Sequence, residues 1–361
     1  LDNPWAATRP VRVAHLLEHT AGLMDLTQTE FDHNRPFPDL PSALAFGAEH
    51  RHVLWPPGMH RSYSNAGAGL AARALERVTG TTWEAFLMER VLRPLGMDSA
   101  SVRLDSRTGE RLATGYDRDG RTVIPYWHMI LPPLGAINAT PREMAGLLQM
   151  LIARGIYRGE RLLSPGSIRR METPATTLAA RSGLHYGYGL GLDQQLQGGF
   201  RLYGHSGDGD GYLSRLAYQP ELEVGYFIAI NAFNHTALEA MEAAVADRLL
   251  GNHEPPPPPS IELERERLAP LTGVYRAVTR RFGWESDASA ALVVDLAEGS
   301  LHLRYASGRR LPLVPASGQH FRHPAEPVAT MAFVEHDGER YLQGEFGSYR
   351  RIGPVAKHTT Q

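Results

Sequence analysis

Apolar positions recur with helical spacing through the first part of the chain and with strand alternation later on. Val11 to His19 predicts a short helix that exits through Thr20 to Gly22. A longer helix is expected from about Ala66, where Leu70, Ala74, Leu75 and Val78 form an apolar stripe, and Gly80 ends it. Thr81 to Glu84 matches a capping box, after which Trp83, Phe86, Leu87, Val91 and Leu92 offer an inward surface. Thr140-Pro141-Arg142-Glu143 is a second start signal: threonine caps free amides, proline fits the first turn and glutamate caps in return. Met144, Leu147, Leu148 and Leu151 give that helix its buried side. From Tyr186 the pattern changes to short strands, including Arg201 to His205, Tyr212 to Tyr218 and Val224 to Ile230. Ala237 to Leu250 returns to helix, an order that predicts an α+β fold.

The run Glu254-Pro-Pro-Pro-Pro-Pro-Ser260 marks a boundary. Polyproline II geometry at about 3.1 Å per residue makes it a semi-rigid spacer of roughly 15 Å. Beyond it Leu292, Val294 and Leu296 alternate, then Leu301, Leu303 and Tyr305, with Glu298-Gly299 as the turn between them. Asp337-Gly338 supplies another hairpin turn before an extended tract from Tyr341 to Tyr349. The expected organisation is a first domain over 1–250, a proline-rich linker over 251–265, a compact antiparallel β domain over 266–354 and a tail over 355–361. No internal repeat stands out.

Composition narrows the chemistry. With 37 basic and 39 acidic side chains, formal charge -2, the 361 residues carry no broad attraction for nucleic acid or anionic membrane. The absence of cysteine excludes disulfides, thiolate nucleophiles and cysteine-ligated metals within this sequence. No apolar run reaches membrane-spanning length, and the first residues lack the form of a secretory signal. The sequence leaves localisation and protein partners open. Lys357 is the single lysine, so chemistry that needs an interior lysine must import one.

Arg61-Ser-Tyr-Ser-Asn65 follows the turn-rich Trp55-Pro-Pro-Gly58 and precedes a predicted helix, where a rigid element could hold polar side chains. The Tyr63 hydroxyl can relay a proton, and Asn65 can orient a carbonyl or amide without titrating. Gly204-His-Ser-Gly-Asp208 closes a predicted strand. There His205 could exchange a proton near neutral pH, Ser206 could bind a substrate carboxylate and Gly207 would allow close backbone approach. Each motif alone fits a structural loop or a polar edge turn. Two metal readings compete. His15-Leu-Leu-Glu-His19 would put two imidazoles on one helical face, yet the pattern specifies no downstream ligand. Asp208-Gly-Asp-Gly211 lacks the spacing and terminal glutamate of a calcium loop. No Gly-x-Ser-x-Gly elbow, phosphate loop or complete dinucleotide fingerprint is present.

Taken together, these motifs resemble the serine β-lactamase and penicillin-binding-protein superfamily, in particular its class C-like esterase and peptidase branch. The resemblance covers roughly residues 8 to 250 and includes Val11 to Leu23, Pro57-Gly58 before Tyr63-Ser64-Asn65, Leu92 to Met97, and Pro133 to Thr140. It implies an antiparallel sheet flanked by helices, plus a helical region. Leu271-Thr-Gly-Val-Tyr275 and Phe346-Gly-Ser-Tyr-Arg350 more loosely resemble the lipocalin-like domain appended to some of these hydrolases, which implies a small C-terminal antiparallel β barrel.

By resemblance Tyr63 takes the proton-relay position and Asn65 orients substrate. His205-Ser206-Gly207 matches the Lys-Thr-Gly motif, and the Asp208 amide is one oxyanion-hole donor. The departure of His205 from lysine argues against β-lactam hydrolysis. The family's acylated serine and basic lysine, Ser-x-x-Lys, have no counterpart, because the pattern ending at Lys357 begins with Pro354. The expectation is therefore an N-terminally incomplete chain, inactive alone. Its intact parent would hydrolyse or transfer acyl groups from a small ester, amide or D-amino-acid peptide without metal or organic cofactor. A signal peptide upstream would send that parent to the periplasm or outside the cell. The rival readings are an inactive binding scaffold and a β-lactamase.

Overall fold

The computed structural model describes residues 1–285, 291–345 and 347–355. Lys357 and Phe346 lie outside them. Five helices matter for the site: α1 (Val13–Leu17), α2 (Asn65–Thr79), α3 (Trp83–Leu87), α4 (Pro141–Ile152) and α5 (His235–Leu250). Strands β1 (Asp193–Gln197), β2 (Phe200–Gly209), β3 (Tyr212–Gln219) and β4 (Val224–Ile230) form one antiparallel sheet in chain order. Strand alternation sends Tyr203, Leu216 and Tyr218 to one face, against Leu148 and Leu151 of α4. Leu202, Leu213 and Ala217 go to the other, against Leu238, Ala246 and Leu250 of α5. The α+β architecture is thus a sheet between helices, beside a helical region.

The expected caps are met once and shifted once. Thr140 and Glu143 cap each other's amides at 3.2 and 2.9 Å. At α3 the cap is Thr82, not Thr81: the Thr82 hydroxyl accepts from Ala85 N at 3.2 Å, whereas that of Thr81 turns back to the Thr79 carbonyl. The apolar stripe of α2 also needs correction, since Val78 is 86% exposed. This helix buries Ala66, Gly67 and Gly69 instead. A Cβ at Gly67 would lie 2.6 Å from the Leu16 carbonyl oxygen, so close backbone approach replaces a leucine seam.

The second unit is a closed eight-stranded antiparallel barrel: β5 (Gly273–Ala277), β6 (Ala291–Ala297), β7 (Ser300–Tyr305), β8 (Arg310–Pro315), β9 (His320–Arg322), β10 (Met331–His336), β11 (Glu339–Gly344) and β12 (Gly347–Gly353). Glu298-Gly299 and Asp337-Gly338 all have positive φ, between 50° and 77°, as two-residue hairpin turns with right-handed strand twist require. The tract expected as one run from Tyr341 to Tyr349 is two strands, broken after Gly344. Tyr275, Val294, Leu303, Phe321 and Leu342 are fully buried and fill the interior. The proline run does not stand free: Arg322 Nε donates to the Pro259 carbonyl and Ile261 N to that of Pro315, at 2.8 and 2.9 Å.

The outer face of β10 and β11 docks on the first unit. Ala332, Val334 and Tyr341 pack against Met59, Leu178, Ala179 and Leu184. At the centre Gln343, 3% exposed, accepts from Ala179 N at 2.9 Å and donates to the Met59 carbonyl at 3.0 Å. His60 Nδ1 lies 2.8 Å from Ser348 Oγ. Burial, assisted by His336, Arg181 and Arg9, lowers the His60 pKa to about 4. Unfolded, His60 binds its proton near 6.5, so between pH 6.5 and 4 the unfolded state holds more protons and stability falls with pH. A gap of about 2.5 units corresponds to roughly 3 kcal/mol, lost by pH 4. Urea unfolding across this range is expected to show a shallower pH slope for His60→Gln than for the parent; identical slopes would contradict the assignment.

Candidate active site

Residues 19–22 and 54–62 are laced together. Leu54 N donates to the Gly22 carbonyl, Gly58 N to Thr20 and Ser62 N to His19, at 2.7, 2.8 and 2.8 Å. Gly22 has φ +84°, and a Cβ there would sit 2.1 Å from the Trp55 carbonyl oxygen, so the position accepts no side chain. His19 also has a left-handed backbone, φ 56°. That turn carries its ring out of α1 and onto Tyr63, with centroids 3.9 Å apart and stacked. Its Nδ1 accepts from Ser64 N at 3.2 Å. Burial, followed by the nearby Arg61, holds the His19 pKa well below the usual imidazole range. His19 is therefore a neutral wedge that fixes the plane of Tyr63.

The helix ends at Leu17, so His15 and His19 share no helical face, contrary to the zinc geometry considered above. His15 Nδ1 accepts from Arg12 N, and the Glu18 carboxylate binds Arg170 together with Ala175 N and Thr176 N. The three side chains diverge. Among the described residues no cluster of three or more histidine, aspartate or glutamate side chains suits a metal ion.

Asn65 begins α2, and its amide groups are held by a carboxylate from outside either motif. Asp25 accepts from Asn65 N at 2.7 Å, from Asn65 Nδ2 at 3.0 Å and from Leu26 N at 2.8 Å. Its side chain is fully buried, and Arg281 pairs with Oδ2 through Nε and Nη2, both at 2.9 Å. Burial raises the Asp25 pKa despite these donors. Arg281 belongs to the loop after β5. That loop runs beside the motif: Thr279 Oγ1 donates to the Arg61 carbonyl, Ser62 Oγ to that of Arg280, and Asp25 N to that of Arg281. The guanidinium sits 4.5 Å above the Tyr63 ring. The barrel thereby contributes a side chain to the half-site.

His205 lies within β2, which continues to Gly209 rather than ending at the histidine. It shares a strand face with Tyr203, on the α4 side of the sheet. Its Nε2 is 2.7 Å from the Tyr188 hydroxyl, and its Nδ1 contacts the Ser206 carbonyl. A carbonyl only accepts, so Nδ1 carries the hydrogen, and in neutral His205 the Nε2 accepts from Tyr188. Tyr188 meets Tyr63 edge to face at 6.0 Å and His19 at 4.5 Å. Burial raises the pKa of both phenols, and each sits in the other's neighbourhood or that of a carboxylate: Tyr63 acts on Tyr188, and Asp25 on Tyr63. Asp193, at the start of β1, adds a carboxyl whose pKa burial raises while His205 opposes the shift. Its Oδ1 is shielded from solvent without a hydrogen-bond partner.

The structure thus brings Tyr63 and His205 together through Tyr188, and turns Asn65 toward Asp25. Beyond Gly204 the edge of β2 has no strand beside it among the described residues, because β1 pairs only with Phe200–Gly204. Ser206 and Asp208 alternate away from His205. The Asp208 carboxylate is half exposed, 3.6 Å from Arg215 and 3.8 Å from His235. Gly207 faces Ser214, where a Cβ would lie 2.5 Å from the hydroxyl oxygen, so close approach is explained within the sheet itself.

The sequence profile of the Beta-lactamase family matches residues 2–250. The chain belongs to that family. A human beta-lactamase-like protein is 27% identical over 277 residues, covering 72% of this chain and 50% of its own length. A D-aminopeptidase of Brucella anthropi is 32% identical over 153 residues, covering 42% of this chain and 28% of its own. The chain therefore spans half or less of these two relatives. The crystal structure of SurE with D-Leu superposes with a TM-score of 0.53 at 23% identity, covering 98% of this chain and 81% of that one. The beta-lactamase-family fold is that of serine-hydrolase-like enzymes, and no helix among the described residues is long and apolar enough to cross a membrane.

Tyr188, Asp25, Arg281 and Asp193 carry the geometry of this half-site without having been singled out in the sequence, and His19 was singled out only as a zinc ligand. The glycine-rich Tyr186-Gly-Tyr-Gly-Leu-Gly191 run is the local signal that could have marked Tyr188. Asp25→Ala removes the acceptor of four donor groups and leaves Arg281 unpaired; a loss of about 3 kcal/mol is expected in urea unfolding. In a double-mutant cycle, Asp25→Ala and Arg281→Ala should be non-additive by about 1 kcal/mol or more, and additivity would remove the claimed coupling.

Proposed function

We propose that Tyr63, Tyr188 and His205 form the proton-handling half of a serine acyl-hydrolase site that acts on an amide, ester or peptide of a D-amino acid. The nucleophilic serine and its lysine would come from outside these 361 residues. The observation that carries the reading is the 2.7 Å approach of the Tyr188 hydroxyl to His205 Nε2, with the Tyr63 ring edge to face with Tyr188. Because burial raises the Tyr63 pKa, a standing phenolate at neutral pH is disfavoured, and relay suits this phenol better than permanent base.

In the proposed step the serine hydroxyl gives its proton to the Tyr63 oxygen while its oxygen bonds to the substrate carbonyl carbon. Tyr63 passes its own proton to Tyr188, and Tyr188 passes its proton to His205 Nε2, which becomes imidazolium. The same path runs backwards to protonate the leaving group. Water then repeats the cycle to release the acyl group. Asn65, locked by Asp25, orients the substrate amide, and the free edge of β2 from His205 to Asp208 receives the substrate backbone, with the Asp208 amide as an oxyanion donor. Ser206 and Gly207 complete that strand edge. A D-configured substrate is favoured by the names of the relatives, a D-aminopeptidase and a protein crystallised with D-Leu.

The test uses the intact protein that carries a Ser-x-x-Lys joined to this sequence. Tyr63→Phe and Tyr188→Phe should each lower kcat by about 10²–10⁴-fold on a D-amino-acid amide, with unchanged unfolding midpoints. Full turnover in Tyr63→Phe would sink the relay. Preference for a β-lactam over the amide would favour the β-lactamase alternative, and no turnover of any ester, amide or lactam would favour a binding scaffold.

A further inference from the structure

A cleft of about 610 Å³ opens at the rim of the docked surface, between the first residues of the chain, the turn at Pro56 to His60, and barrel strands β5, β11 and β12. None of Tyr63, Tyr188 or His205 lines it. Its charged lining is unbalanced: Arg9, Arg276 and Arg350 face one carboxylate, Asp337. Asp337 is 84% exposed and sits 3.2 Å from His336. Arg9 Nη2 is likewise 3.2 Å from His336 Nε2, so it meets an imidazole rather than an acid.

The two barrel arginines stand directly opposite one another across β5 and β12. Like charges in that register repel, and the next residue along the same row is Tyr341, which gives no counter-charge. The row continues from Tyr341 to Val334, both buried under the first unit, so the arginine pair marks the point where the docked face meets solvent. Glu339 and Asp337 act on Tyr341 from the hairpin side, while cations dominate the side of the first unit. Arg9 and His336 both depress the pKa of His60, and Arg9 also depresses that of Arg181. Beside this cationic rim, Trp5, Met59, Tyr341 and Ile352 supply an apolar wall.

We propose that this cleft is a binding site for a small organic anion, with a carboxylate or phosphate held between Arg276, Arg350 and Arg9 and an apolar body against Trp5 and Tyr341. Guanidinium groups suit both headgroups through paired N–H donors. Such a ligand relieves the repulsion between Arg276 and Arg350. It also joins the start of the chain to the barrel, so binding strengthens the docking of the two units by linkage.

Phenyl phosphate, benzoate and neutral benzamide, titrated by calorimetry into the full chain, test the site. The expected result is saturable binding of one or both anions, one per chain, with Kd below about 1 mM, an upward shift in Tm, and no comparable binding of benzamide. The tighter anion identifies the headgroup. The Arg276→Gln/Arg350→Gln pair should weaken binding at least about tenfold while circular dichroism stays unchanged, and Arg9→Gln alone, which leaves the barrel untouched, should weaken it less. Failure of both anions to saturate, equal binding of benzamide, or binding indifferent to Arg9→Gln and to the paired substitution would each overturn the proposal.

Discussion

A carboxylate taken wholly out of water must be surrounded by donors or it will not stay charged, and Asp25 is such a group. Its donors come from three places: the adjoining Leu26 amide, the first turn of α2 at Asn65, and Arg281 on the barrel loop. Satisfying one buried charge therefore fixes the start of a helix, the side chain of the asparagine motif and the position of a second structural unit. Arg281 then lies over Tyr63 because it is held by Asp25, and Tyr63 is clasped between that guanidinium and the His19 ring. A protonated His19 would add a third cation beside Arg61 and Arg281, and its burial resists that.

The docking of the barrel follows the same logic. Its apolar part, Tyr341 and Val334 against Met59 and Leu178, supplies area without direction. Direction comes from Gln343, whose amide reaches two separate segments of the first unit, and from the loop of Thr279 to Arg281 lying along Arg61 to Ser64. The first unit and the barrel share this seam, and Arg281 extends it into the half-site.

Much of this was legible in the chain because the signals were local. The reciprocal cap at Thr140 and Glu143 and the two hairpin turns depend on residues within three positions of one another, and the structure places all three where the pattern put them. The α+β order and the antiparallel hairpins of the second unit follow from such signals in sequence, whereas its closure into a barrel was implied by resemblance. Where local signals competed, the neighbour won: Thr82 rather than Thr81 caps α3, and Val78 faces water because the near end of α2 packs through glycines. His15 and His19 satisfied a helical spacing, but the helix stops at Leu17 and the backbone of His19 turns left-handed. Asp25 and Arg281 could not be read at all, since Asp25 meets Asn65 across 40 positions and Arg281 across 256. No spacing rule spans such distances.

The two cationic regions of the barrel illustrate how differently one residue type behaves when its counter-charge changes. Arg281 is neutralised by a buried acid and acts through geometry, holding a loop and covering an aromatic ring. Arg276 and Arg350 have the same guanidinium but stand opposite each other on the outer face of the barrel, with an apolar wall beside them. A pair like this gains from the arrival of a negative group, whereas Arg281 would lose Asp25 by accepting one. Charge satisfaction inside the fold thus assigns the first arginine to structure, whereas among the described residues lining the cleft the second pair meets a single, largely exposed acid, Asp337.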